Sequence, residues 1–151
     1  MPTRSLLMWC GLVLMFGLGT LLPSAAQASS VQVKAVLIHA SDEEGPSDPR
    51  LADIEPQLRK VLGFARYRHF GEGNAQIELP GSATIRLGRG YTLDVEASQA
   101  GRGRIRLQVN WRKGNQGLMS TSTVVSRGRA PAILGGPSHE DGKLIVTLAV
   151  Q

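Results

Sequence analysis

Cysteine is almost absent from this chain. The single cysteine in 151 residues is Cys10, which lies inside an apolar N-terminal run. Once that run is removed, no disulfide, thiolate nucleophile or cysteine-based metal site is available, and the fold must be held by packing. Aromatic residues are also scarce, at 5%. Beyond the N-terminal run they are Phe64, Tyr67, Phe70, Tyr91 and Trp111, too few and too scattered for a platform on which nucleic-acid bases stack. Long basic runs are missing as well. The chain carries 17 Lys and Arg against 12 Asp and Glu, yet no run of bases exceeds two residues. Interspersed charge of this kind belongs to solvated faces, and no nucleic-acid partner is expected.

Catalytic patterns are equally thin. Ser120, Thr121, Ser122 and Thr123 stand together without a Gly-x-Ser-x-Gly elbow or a Ser-x-x-Lys pair. Gly88-Arg89-Gly90 and Gly101-Arg102-Gly103 are too short to cradle phosphates, and no helix follows them. No enzyme activity and no cofactor are expected.

The N-terminus has the order of an export signal. Arg4 precedes an uncharged apolar stretch, Leu6 to Leu22, and Ala26-Gln27-Ala28 forms a small-x-small cleavage pattern. The expected division is a signal peptide over 1–28 and a single domain over 29–151. Because the apolar stretch approaches the ~20 residues that span a bilayer, an N-terminal anchor in the inner membrane is the alternative. The expected location is periplasmic or secreted, with no membrane contact after cleavage. Cleavage removes one basic residue and leaves 123 residues, enough for one real core.

The rest reads as strands around one helix. From Arg104 to Trp111 polar and apolar residues alternate, with Ile105, Leu107, Val109 and Trp111 on one face and Arg104, Arg106, Gln108 and Asn110 on the other. Tyr91–Ala97 alternates likewise, and the two stretches are expected to form an antiparallel hairpin in which Asp94 and Glu96 face Arg104 and Arg106. Val31–Ala40 is apolar on both sides in its second half, the pattern of a central strand covered on both faces. Lys143–Val150 shows the same tendency.

A helix is expected over about 48–62, opened by Asp48-Pro49 and closed by Gly63. Leu51, Ile54, Leu58, Val61 and Leu62 share one face, and Pro56 should kink the helix or delay its start to near Ile54. Gly71-Glu72-Gly73-Asn74 reads as a turn between two short strands, and Gly135-Gly136-Pro137 with Ser138–Gly142 as a loop. Leu118–Ser126 and Ala130–Leu134, the second containing Pro131, read as edge strands. The class is α+β and β-dominated: one amphipathic helix after the first strand, then an antiparallel meander forming a sandwich or a partly closed barrel.

Few residues stand out as ligand-binding. Arg102, Arg104, Arg106 and Arg112 form an arginine stripe that, with Tyr91 and Trp111, can be assigned to an anion or glycan. The plainer account gives Arg104 and Arg106 to Asp94 and Glu96 and leaves Arg102 and Arg112 free. His39, followed by Asp42, Glu43, Glu44 and Asp48, matches no metal spacing, since Ser47 stands where a Ca²⁺ loop requires glycine. His139-Glu140-Asp141 is an acid/base triplet on a turn, where charged residues are expected anyway. His69 lies on a strand between Arg68 and Phe70 and is assigned to packing or surface. No metal site is expected.

Two segments carry a resemblance. Val36-Leu37-Ile38-His39-Ala40-Ser41 running to Asp48-Pro49-Arg50-Leu51-Ala52, with Leu58–Phe64 and Tyr67-Arg68, and then Ala132–Pro137, together resemble small exported bacterial proteins of unknown function. The turn at Ile133-Leu134-Gly135-Gly136 is similar to one in the β-domain of outer-membrane secretins, although the long pore hairpins are absent. The resemblance implies an envelope location and brings no catalytic residues. The expected function is that of an exported, non-catalytic domain acting by protein–protein contact in the cell envelope. A small-ligand, glycan or anion-binding module is the alternative.

Overall fold

The computed structural model describes residues 29–151. The proposed signal peptide and Cys10 lie outside the described residues. Eight strands form two four-stranded antiparallel sheets. They are β1 (Ser30–Ser41), β2 (Arg66–Glu78), β3 (Gly81–Gly88), β4 (Tyr91–Gln99), β5 (Arg104–Lys113), β6 (Gln116–Ser126), β7 (Ala132–His139) and β8 (Gly142–Val150). The first sheet has the order β2-β1-β8-β7 and the second β3-β4-β5-β6. The sheets face each other as a sandwich and do not close into a barrel.

The central strands are those whose sequences are apolar on both sides. β1 lies between β2 and β8. Its Val31, Val33, Ala35 and Leu37 enter the core between the sheets, while Ile38 and Ala40 face a second apolar cluster on the outer side. That cluster is roofed by the one α-helix among the described residues and the turn before it. Asp48 caps a 3₁₀ turn at Pro49–Leu51, accepting from the N–H of Arg50, and α1 (Glu55–Leu62) follows. The break between them accommodates Pro56, whose ring is tolerated in the first turn of α1 and not deeper. Gly63 ends the helix at φ 70°, a left-handed position suited to glycine. Leu51 and Leu58 are buried against Ile38, Ala40, Tyr67 and Ile145.

Between the sheets, β5 contributes Ile105, Leu107, Val109 and Trp111, all buried, and alternates with exposed polar residues. The expected hairpin of β4 and β5 is present, with a different register of charges. Asp94 lies opposite Asn110, Glu96 opposite Gln108, and Arg106 opposite Ser98. The acidic pair therefore does not face Arg104 and Arg106. Asp94 instead reaches diagonally to Arg112, whose Nε and Nη2 donate to its two carboxylate oxygens at 2.6 and 3.2 Å. Diagonal neighbours on a sheet lie within reach of a long side chain.

Two expected turns are strand. Gly71–Asn74 continues β2 without interruption, and the pairing with β1 shifts register between Leu37 and Ile38. A Cβ at Gly71 would overlap the carbonyl oxygen of Leu87, and one at Gly73 that of Arg86. These glycines serve the close approach of β3 to β2 rather than a reversal. Gly135-Gly136-Pro137 likewise belongs to β7, which shifts register between Gly135 and Ser138. An edge strand paired only with β8 tolerates both the bulge and the proline.

The two long sides of the sandwich differ. On one, β2 runs into β3 and the two pack together. On the other, the edges β6 and β7 approach less closely and do not pair, and Met119, Thr121 and Thr123 on the inner face of β6 stay only half-buried.

Candidate functional site

The end of the sandwich at the β7–β8 and β3–β4 turns collects most of the chemistry-bearing side chains. His39 sits near the end of β1 and is fully buried. Arg68 is its cross-strand partner on β2. Nη2 of Arg68 donates to Nδ1 of His39 at 2.9 Å. A guanidinium has donors only, so Nδ1 accepts and the ring proton resides on Nε2. Nε2 in turn donates to the carbonyl oxygen of His139 at 3.1 Å. Both ring nitrogens are thus occupied, and the tautomer is set by its neighbours.

Aromatic packing completes the surroundings. The rings of His39 and Phe70 stack with centroids 5.1 Å apart, and His139 meets both edge-on at 5.7 and 5.8 Å. Beyond His139 the chain turns through Glu140, which takes the left-handed conformation at φ 52°. Asp141 then comes within 3.8 Å of His39 Nε2.

The fold therefore joins two separate candidates of the sequence. His39 does not gather Asp42, Glu44 and Asp48; it meets the His139-Glu140-Asp141 turn. One ligand atom each of His39, Glu140 and Asp141 lies within 4.8 Å of the others. The donor set nevertheless fits a cation poorly. A metal on Nε2 requires that nitrogen's lone pair, which moves the ring proton to Nδ1 and against the Arg68 guanidinium. Histidine ligands normally donate their other N–H to an acceptor, not face a second donor. Asp48 is spent elsewhere, accepting from Arg50 through both oxygens, and its carboxyl is held far below the ordinary range by that contact.

Beside this cluster lies an open cleft of about 400 Å³, lined by Arg66, Arg68, Phe70 and Arg89 among others. Arg66 is engaged by the carbonyl oxygen of Pro46 and by Glu43 at 3.5 Å. Arg89 comes from the β3–β4 turn, its guanidinium carbon 4.3 Å above the Phe70 ring and its Nε donating to the Phe70 carbonyl oxygen. The charged group of Arg68 lies 5.9 Å from the same ring, and its Nε is buried with no partner. His69, assigned to packing or surface, lies at the β2 edge of the cleft, 3.5 Å from Glu72.

The arginine stripe disperses in three dimensions. Arg102, Arg104 and Arg106 are exposed on or beside the outer face of the second sheet, and Arg112 is bound to Asp94. Trp111 is fully buried and Tyr91 nearly so, their rings 6.3 Å apart in the core. Neither presents a ring to a ligand at the surface. A second cleft, about 380 Å³, opens beside Arg106 and Gln108 and has Glu96 in its lining as well. Arg89 and Arg68 went unnoticed as a pair because they lie on different sheets. The one local signal was an arginine between two glycines at a turn.

Comparisons with protein-family models, with curated proteins and with solved structures return no match.

Proposed function

We propose that this chain is an exported, non-catalytic domain that works by protein–protein contact in the bacterial cell envelope, and that β6 is the strand through which it does so. The observation that carries this reading is the character of the free edge. β6 spans 11 residues, pairs only with β5, and contains neither a charge nor a proline. Natural edge strands are usually protected from pairing by lysines, prolines, bulges or shortness. The opposite edge β7 has such protection in its bulge and Pro137. On β6 the single register shift falls at the turn end, between Trp111 and Arg112, so Met119–Ser126 is left regular and open. An extended segment of a partner protein can pair with such an edge by main-chain hydrogen bonds. Its side chains would then cover Met119, Thr121 and Thr123 at the open side of the sandwich. The N-terminal signal pattern supports export, and the resemblance to small exported bacterial proteins supports an envelope setting.

Site-specific photo-crosslinking from position 122 on β6, compared with position 86 on β3, tests this in cells that make the full chain. Discrete adducts at 122 and not at 86, lost when Ser120 and Val124 on either side of the probe are replaced by Lys, are expected. A band at twice the chain mass makes the partner a second copy. Equal or absent crosslinking at both positions sinks the reading.

A further inference from the structure

The cleft at the end of the sandwich holds more positive charge than its own surroundings use. We propose that it binds an oxyanion, the phosphate, sulfate or carboxylate group of a small molecule, between the guanidinium groups of Arg68 and Arg89 against the ring of Phe70. This site is independent of the β6 edge.

Arg68 has one nitrogen on His39, which accepts as a neutral ring, and a buried Nε with no partner. Its charge is therefore not cancelled by its nearest contact. Arg89 gives its Nε to the Phe70 carbonyl oxygen. Among the described residues Arg66 reaches Glu43, but neither Arg68 nor Arg89 has a carboxylate in ion-pair contact. The two guanidinium carbons stand 5.9 and 4.3 Å from one ring centroid, hence no more than about 10 Å apart, and like charges so placed repel unless an anion lies between them. Asp48 also lines the cleft, with both of its oxygens already on Arg50.

The position of Arg89 is costly. It occupies the first place of a two-residue hairpin turn at φ 56°, followed by Gly90 at φ 81°. That turn favours Asn-Gly, and a residue with a Cβ is strained in the left-handed region. Glycine or asparagine there would satisfy the turn and leave the cleft without its second guanidinium. The cleft, at about 400 Å³, falls within the roughly 300–1,000 Å³ of small-molecule sites. Guanidinium forks suit oxyanions because their paired N–H groups match paired oxygens.

Calorimetric titration of the purified chain with inorganic phosphate, sulfate and citrate, at fixed ionic strength, tests the proposal. Saturable binding is expected for the unaltered chain, and comparing phosphate with citrate ranks the kinds of oxyanion. Arg89→Gly and Arg68→Gln should each weaken binding at least tenfold, whereas Arg106→Gln, on the second sheet's outer face, should leave it unchanged. Arg89→Gly relieves the left-handed strain, so its ligand-free melting temperature should stay close to that of the unaltered chain. Its loss of binding then reports the site, not unfolding. Equal binding by Arg89→Gly and the unaltered chain, a loss in Arg106→Gln alone, or a response that never saturates overturns the proposal. The last is the signature of diffuse ionic screening over the whole surface rather than a site.

Discussion

Arg68 Nη2 donates to Nδ1 of His39 at 2.9 Å, so a buried histidine neutralises no charge and serves as an acceptor for an arginine. Replacing His39 by Leu keeps the volume roughly but strands the Arg68 donor. An unsatisfied buried group costs roughly 1–3 kcal/mol, and more when charged. A fall in the urea midpoint of that order is expected for His39→Leu. The double replacement with Arg68→Leu should recover part of the loss, because removing both partners is milder than removing one. Additive losses would show that the pair does not act as one.

The same contact makes a prediction about zinc. With the ring proton on Nε2, His39, Glu140 and Asp141 form a poor cation site despite their proximity. Stoichiometric zinc should leave the melting temperature of the unaltered chain unchanged. In Arg68→Leu, Nδ1 is free of its donor and zinc should stabilise. A zinc response in the unaltered chain would refute the assignment of the proton.

Gly136 packs on the ring of Trp111 so closely that a Cβ would overlap Cζ3 and Cη2. Gly136→Ala should lower stability by roughly 1–3 kcal/mol, the usual result of overfilling a packed core. Trp111→Phe removes the second ring, and the Gly136→Ala penalty measured in that background should shrink. A double-mutant cycle with no coupling energy would contradict the contact.

Asp94 sits below the ordinary carboxylate range because Arg112 hydrogen-bonds its ionised form, with Thr84 adding a second bond. A depressed acid stabilises the folded state at pH values above its unfolded pKa, roughly 3.9 for aspartate. The contribution fades as pH falls through the lowered folded value. Asp94→Asn should therefore melt slightly below the unaltered chain at pH 7 and match it at strongly acidic pH. The gap stays small because both side chains are 36% exposed and solvent and salt screen such pairs. Glu96→Gln, by contrast, should change stability by no more than about 0.5 kcal/mol, since Glu96 faces Gln108.

Much of this architecture follows from short-range rules. Alternation in β5, two-sided apolarity in β1 and β8, and the Asp48, Pro56 and Gly63 signals around the helix each state their role within a few residues. Side-chain period and capping chemistry act locally, so the core face, the central strands and the edge character of β6 are determined by the sequence itself. Glycine is the exception. Gly71 and Gly135-Gly136 look like turn residues, yet β2 and β7 run through them. Their glycines are required by Leu87 and Trp111, which only the folded chain brings near. Register is the second exception. The register sets Asp94 opposite Asn110, four residues along β5 from Arg106, and so hands it to Arg112, and no local pattern fixes that offset. The third is the meeting of His39 with His139, one hundred residues away, and of Arg68 with Arg89 across two sheets. Each of those side chains had a bland reading in its own segment. Their chemistry arises from burial beside a particular neighbour, and which neighbour that is was decided by the packing of the sandwich end.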